Sequence, residues 1–152
     1  MVELRTEAGV VLTDPDAIDE LISPCRVETV APADWGLCAD CAAAGWAAPL
    51  VQVFWPGMPD SLEQMVASFA PPHTNPADEV HQVVAGAVQF GIVRADGKQV
   101  LLTLGPGDAF RLRAGTEHWS VLSPERRLTA IVHLSLPPGF AHRYTDTEVR
   151  IT

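Results

Sequence analysis

The chain has 152 residues, of which 47% are hydrophobic, and its 19 acidic against 10 basic side chains give a formal charge of −9. That length suits one domain with one core, and the apolar share excludes a disordered chain. The acidic balance, with no basic run, argues against nucleic acid or an anionic membrane as partner.

Met1-Val2-Glu3-Leu4-Arg5 lacks the basic-then-apolar pattern of a signal peptide. The longest apolar stretch, Cys41 to Trp55, is interrupted by Gly45, Pro49 and Gln52 and is too short to cross a bilayer. A cytoplasmic location is therefore expected. Asp14-Pro15 reads as an N-cap with proline at the first helical position, and Ile18, Leu21 and Ile22 make an apolar face behind it. Asp34 to Ala44 is alanine-rich and stops at Gly45, as a short helix would. Cys25, Cys38 and Cys41 make an odd count, which argues against a disulfide framework. Cys38-Ala39-Asp40-Cys41 has the spacing of a zinc or redox pair but lacks the partners of either, so these thiols are read as small buried residues on a helix. Leu50 to Trp55 alternates like a strand, and Ser61-Leu62-Glu63-Gln64 is a capping-box pattern opening a helix through about Ser68. Residues 1–68 thus form a helical and loop-like portion expected to pack on the β-rich remainder of the chain.

From His73 the texture becomes strand-rich. Val80 to Ala85 and Ala87 to Arg94 are separated by Gly86, and Ala95-Asp96-Gly97-Lys98 carries a hairpin turn signal. Gln99 to Leu104, Ala109 to Leu112, Glu117 to Leu122 and Leu128 to Leu134 are further short strands, and Pro137-Pro138-Gly139 ends the sheet. Many short, evenly spaced strands predict a mainly β sandwich or barrel. The barrel core is expected over residues 69–136 and a polar tail over 137–152, all within one domain of 1–152.

Strand side chains alternate with period two, so His73 shares a face with Asn75, and Glu79 with His81. If both faces point into the barrel, polar groups converge where a β-protein normally places valine or leucine. A carboxylate buried there is costly unless paired or metal-bound. His118, on a later strand after the Ala114-Gly115 turn, closes the set. His73, Glu79 and His118 make two imidazoles and one carboxylate, the facial triad of non-haem Fe(II) oxygenases. Asn75 and His81 stand as metal or pocket residues, and Asn75 also sets the turn before Pro76. His133 and His142 have no spaced partner and are read as structural or solvent-facing.

These residues resemble a known family. Glu79 followed six residues on by Gly86, and Gly107 followed by Arg113-Ala114-Gly115 and His118, resemble the two cupin motifs, with Arg113 where proline is usual. Within the cupins, Phe69-Ala70-Pro71-Pro72-His73-Thr74-Asn75-Pro76-Ala77-Asp78-Glu79-Val80 and Ala114-Gly115-Thr116-Glu117-His118-Trp119 resemble the two metal segments of the acireductone dioxygenases. The resemblance implies a double-stranded β-helix (jelly-roll) barrel with short N-terminal helices. It implies one divalent metal on His73, Glu79 and His118, with Fe(II) expected and Ni or Zn as alternatives. It also puts Phe69, and Trp119 beside His118, in the substrate pocket.

Four departures bear on the substrate. The family's second metal histidine is Asn75 here, the arginine two residues after the glutamate is His81, the aromatic after Trp119 is Ser120, and a second arginine position is Val132. Losing fork-shaped cations removes bidentate recognition of an enediolate. The function implied is a non-haem dioxygenase taking O2 and a small enediol or dicarbonyl-type metabolite, with His81 to orient the substrate or move a proton. A metal-dependent isomerase, cyclase or lyase, and a non-catalytic ligand-binding cupin, are the alternatives. A monomer or homodimer is expected.

Overall fold

The computed structural model describes residues 1–139 and 141–152; residue 140, in the expected tail, lies outside the described residues. Two antiparallel sheets face each other. One has seven strands in the order β12-β5-β10-β7-β8-β1-β2 and the other five in the order β3-β9-β6-β11-β4. Their ranges are β1 Glu3–Thr6, β2 Val11–Leu12, β3 Arg26–Thr29, β4 Leu50–Phe54, β5 His73–Thr74 and β6 Glu79–Gly86, then β7 Val88–Val93, β8 Gln99–Leu104, β9 Asp108–Leu112, β10 His118–Leu122, β11 Leu128–Leu134 and β12 Arg143–Tyr144. The two sheets close as a jelly-roll barrel, the cupin-type architecture expected from the sequence.

Alternation builds the interior. Leu102 and Leu104 of β8, Phe110 and Leu112 of β9 and Val83 of β6 are buried in one cluster with Leu4, Ile18 and Ile22. Burial of this apolar surface drives the two sheets together. The hairpin at Asp96-Gly97 forms as its sequence demands, with Gly97 at φ +82° and the Arg94 amide donating to Lys98. Gly86 sits at φ +74° where an added Cβ would lie 1.9 Å from the Arg127 carbonyl oxygen, so only glycine lets β6 approach the start of β11.

The N-terminal portion differs from its expected helical and loop-like character. β1 pairs with β8 and β2 with β1, and β3 pairs with β9, so three segments of it extend the sheets. None is longer than four residues, too short for alternation to reveal. Helix α1, Pro15–Ile22, starts as expected, with the Asp14 carboxylate accepting from the Ala17 amide at 3.0 Å. The helix expected over 34–44 splits into a 3-10 turn, Pro32–Asp34, and α2, Ala39–Ala43. Gly36, at φ +82°, interrupts it, and its amide donates to Gln82 on β6. Helix α3, Asp60–Ser68, begins one residue before the expected capping box, with no side-chain cap. Cys38, at the N-cap of α2, is joined to the buried Cys41 by a disulfide, which corrects the reading of both as merely small buried residues on a helix. Cys25 is the buried free thiol. The tail returns as β12, pairing with β5, and Ile151 is buried against Leu101 and Trp119. Among the described residues, no helix is long and apolar enough to cross a membrane.

Candidate metal centre

The site lies between the sheets at one end of the barrel. β5 and β10 place His73 directly opposite His118, and their rings stand 4.4 Å apart between centroids. Across the interior, β6 turns Glu79 and His81 inward, paired in register with Leu134 and Val132 of β11. His73, Asn75, Glu79 and His118 are all buried. These are the residues that the sequence groups together, and they line one cavity of about 360 Å³ with His81 and Phe69.

The two imidazoles are held alike. His73 donates from Nδ1 to the Pro71 carbonyl at 2.7 Å, and His118 from Nδ1 to the Thr116 carbonyl at 2.8 Å. Each carbonyl lies two residues upstream of its ring and accepts only, so the neutral ring keeps its lone pair on Nε2. This is the tautomer a metal ligand needs, fixed by the backbone. Burial pushes the His118 pKa down to about 4, the largest of its influences, so the ring is neutral at physiological pH.

Glu79 has the opposite requirement. Burial alone would raise its pKa, but the hydrogen bond from His81, and then the nearby imidazoles, leave it below the usual carboxylate value. His81 Nε2 donates to Glu79 Oε2 at 2.9 Å, and Asn75 Nδ2 donates to Oε1 at 3.3 Å. An ionised carboxylate beside neutral imidazoles fits a divalent cation, since ligands must be deprotonated to bind. The carboxylate oxygens are taken up by these two partners. Among the described residues, the only three His, Cys, Asp or Glu ligand atoms within 4.8 Å of one another are those of Cys38, Asp40 and Cys41. That set is spoken for: the sulfurs are joined, and Asp40 is paired with Arg111 at 2.7 Å. The donor set between the sheets therefore suits a metal in chemistry, while no three of its His and Glu ligand atoms lie within 4.8 Å of one another.

Two expectations need correction. Trp119 does not line the cavity. Period-two alternation sends it to the opposite face of β10 from His118, where it is buried with Leu101 and Ile151 over Gly91. His142, read as structural or solvent-facing, lines the cavity instead. Its Nδ1 lies 2.5 Å from Asn75 Oδ1, and its ring centroid is 4.3 Å from that of His73. No local spacing could have found it, because 67 residues separate it from Asn75. His133 takes the structural side of its reading: it is buried on the outer side of β11, and Nε2 has no hydrogen-bond partner among the described residues. Phe69, just past α3, lines the cavity as expected and stacks edge-on against His142 at 5.4 Å. Most of the remaining wall is apolar, including Phe54, Val83, Phe90, Ala130 and Val132, and it contains no lysine or arginine among the described residues.

No family model matches the chain. In sequence it is 38% identical over 106 residues to the acireductone dioxygenase of Trichodesmium erythraeum, covering 70% of this chain and 58% of that protein. It is 36% identical over 93 residues to that of Rhodopseudomonas palustris, covering 61% of this chain and 55% of that protein. The chain thus spans little more than half the length of these relatives. In structure it is similar to an acireductone dioxygenase from Bacillus anthracis with a cadmium ion in its active centre. The TM-score is 0.79 at 19% identity, covering 95% of this chain and 98% of that one.

Proposed function

We propose that this chain, a cupin and a relative of the acireductone dioxygenases, is a non-haem metal-dependent dioxygenase acting on a small enediol or dicarbonyl-type metabolite with an apolar body. The observation that carries this reading is the pair of buried imidazoles, His73 and His118, each fixed with Nε2 unprotonated beside an ionised Glu79 at an apolar cavity.

His73, Glu79 and His118 would hold one divalent ion, Fe(II) by preference, with Ni or Zn as alternatives. When bound, the ion acidifies an enediol or dicarbonyl and brings it together with O2. The chain's own residues supply the rest. One carboxylate on a divalent ion leaves a net positive charge, which an enolate or enediolate balances, so the substrate needs no cationic side chain at its reacting end. The wall supplies none. Phe54, Val83, Phe90 and Val132 suit an apolar substituent, and they exclude water from the reacting atoms. His81, on the cavity wall and donating from Nε2 to Glu79 Oε2, is placed to give that N–H to a substrate oxygen once the carboxylate turns away, and so to orient the substrate. The cytoplasmic setting read from the sequence belongs to the same proposal.

The test is metal content by plasma mass spectrometry on anaerobically purified protein, followed by oxygen uptake with a panel of enediols and β-dicarbonyls of graded apolar length. About one Fe or Ni per chain with substrate-dependent oxygen consumption is expected. Metal binding with substrate turnover but no oxygen uptake would assign the site to isomerase, cyclase or lyase chemistry. Ligand binding with no metal and no turnover would make it a binding cupin.

A further inference from the structure

A fourth imidazole stands at the site beside His73, His81 and His118. His142 comes from the tail segment just before β12, and its ring lies 4.3 Å from that of His73 at an interplanar angle of 39°. Asn75 sets its orientation. The Asn75 amide faces Glu79 with Nδ2, because an ionised carboxylate only accepts, so Oδ1 faces His142. Oδ1 also only accepts, so His142 Nδ1 carries the proton. The neutral ring therefore bears its lone pair on Nε2, as His73 and His118 do.

We propose that His142 is a further nitrogen ligand of the metal at this site, delivered by the C-terminal tail and aimed by Asn75. The inference rests on the proposed metal centre of His73, Glu79 and His118 and goes beyond it, because it draws a residue remote in sequence into the coordination sphere.

A purely structural role for His142 is the competing explanation, and the tail has other anchors. Tyr144 and Arg143 are already paired with His73 and Thr74 in the β12–β5 ladder. The Tyr144 hydroxyl donates to the Ser68 carbonyl at 2.9 Å, and the Thr145 amide to the Pro72 carbonyl at 3.1 Å. With the tail anchored there, a half-buried imidazole set beside that of His73 is more than the strand pairing asks for. A shared cation accounts for the two rings standing together. Asn75 then has one task at two ends: it holds the ring of His142 and one oxygen of Glu79, and so couples the tail to the carboxylate. With His73, Glu79, His118 and His142 as ligands, a six-coordinate ion would still have positions open to a substrate and O2.

The test uses the full chain, stripped of metal and titrated with Co(II) against a chromophoric chelator, with the Co(II) electronic spectrum recorded at saturation. Wild type should bind one Co(II) per chain. His142→Ala should bind about 10–100-fold more weakly with an altered ligand-field spectrum, at an unchanged melting temperature of the metal-free protein. Asn75→Ala should weaken binding in the same direction. Should His142→Ala not fold, His142→Gln keeps most of the bulk and serves in its place. Wild-type affinity and an identical spectrum in the His142 variant would overturn the assignment while leaving the metal centre standing. Failure of wild type to bind Co(II), Fe(II), Ni(II) or Zn(II) would instead bring down the metal centre, and this ligand with it.

Discussion

His73 and His118 are direct cross-strand partners, and each gives its Nδ1 proton to a backbone carbonyl two residues upstream. The same local device on both strands fixes two lone pairs without help from other side chains. Removing one ring should therefore cost metal and spare the fold. His118→Ala and Glu79→Gln are each expected to lower metal affinity by about 10–100-fold or more. Circular dichroism and the unfolding midpoint of the metal-free protein should change little, because the core is built from Leu4, Ile18, Leu102, Leu104 and Phe110. Chelator competition checks the first and chemical denaturation the second. Retained metal in both variants would remove these residues from the ligand set.

The burial of His118 also predicts a pH dependence for the metal-free protein. Its pKa is about 4 in the fold against an ordinary 6.5. Between those values the unfolded chain takes up a proton that the native ring refuses. The contribution is fully present above about pH 6.5 and is lost as pH falls toward about 4. The full shift corresponds to about 3 kcal/mol. His133 and His142, both lowered by burial, act in the same direction. Carboxylates such as Glu79 act only lower down, as pH falls below their ordinary value near 4.5. Urea unfolding at a series of pH values should show wild type losing stability across this window, and His118→Gln should flatten the curve. Parallel curves for the two proteins would sink the assignment.

The barrel and most of the site are legible in the sequence because both rest on short-range signals. Period two puts His73 with Asn75 and Glu79 with His81, and Asp96-Gly97 sets the β7–β8 hairpin. At Trp119 the same rule overrides the family resemblance: one residue past an inward His118, alternation sends the indole outward. His142 is illegible for another reason. It lies in a tail without periodicity, and only the β12–β5 pairing, a long-range contact, brings it to Asn75. Strands β1 and β3 are hidden because four residues leave too little alternation to distinguish a strand from a loop. The odd cysteine count argues against a disulfide framework but cannot exclude one local pair plus one buried thiol, which is the arrangement found.

Trp119 and Gly91 make a second, independent test of the architecture. They are register partners on β10 and β7, and a Cβ built on Gly91 would lie 1.9 Å from Trp119 Cε2. The indole lies over bare backbone there and is sealed by Leu101 and Ile151. Gly91→Ala should destabilise by about 1–3 kcal/mol through overpacking. Adding Trp119→Leu should recover part of the loss relative to that substitution alone, a coupling that a double-mutant cycle in urea measures. Metal affinity should stay at the wild-type level throughout, because this cluster is on the far side of the strand from the cavity. A Gly91→Ala variant as stable as wild type would refute the packing.

The apolar wall makes the last prediction. Ala130 sits on β11 facing the cavity, beside Val132 and Leu128 and away from the imidazoles in register: its partner on β6 is Val83, two pairs removed from His81. Ala130→Leu pushes an isobutyl group into space that the substrate's apolar part is proposed to fill. The cavity of about 360 Å³ accommodates the added carbons, so stability should change by less than about 1.5 kcal/mol. Metal content should be unchanged, because no ligand moves. Affinity for an apolar-tailed β-dicarbonyl should fall at least tenfold, about 1.4 kcal/mol, while a dicarbonyl without the tail binds as before. The contrast between the two ligands, read by calorimetry on the metal-loaded protein, separates occupation of the apolar wall from damage to the metal site. Equal loss for both ligands would mean that the wall does not select the tail.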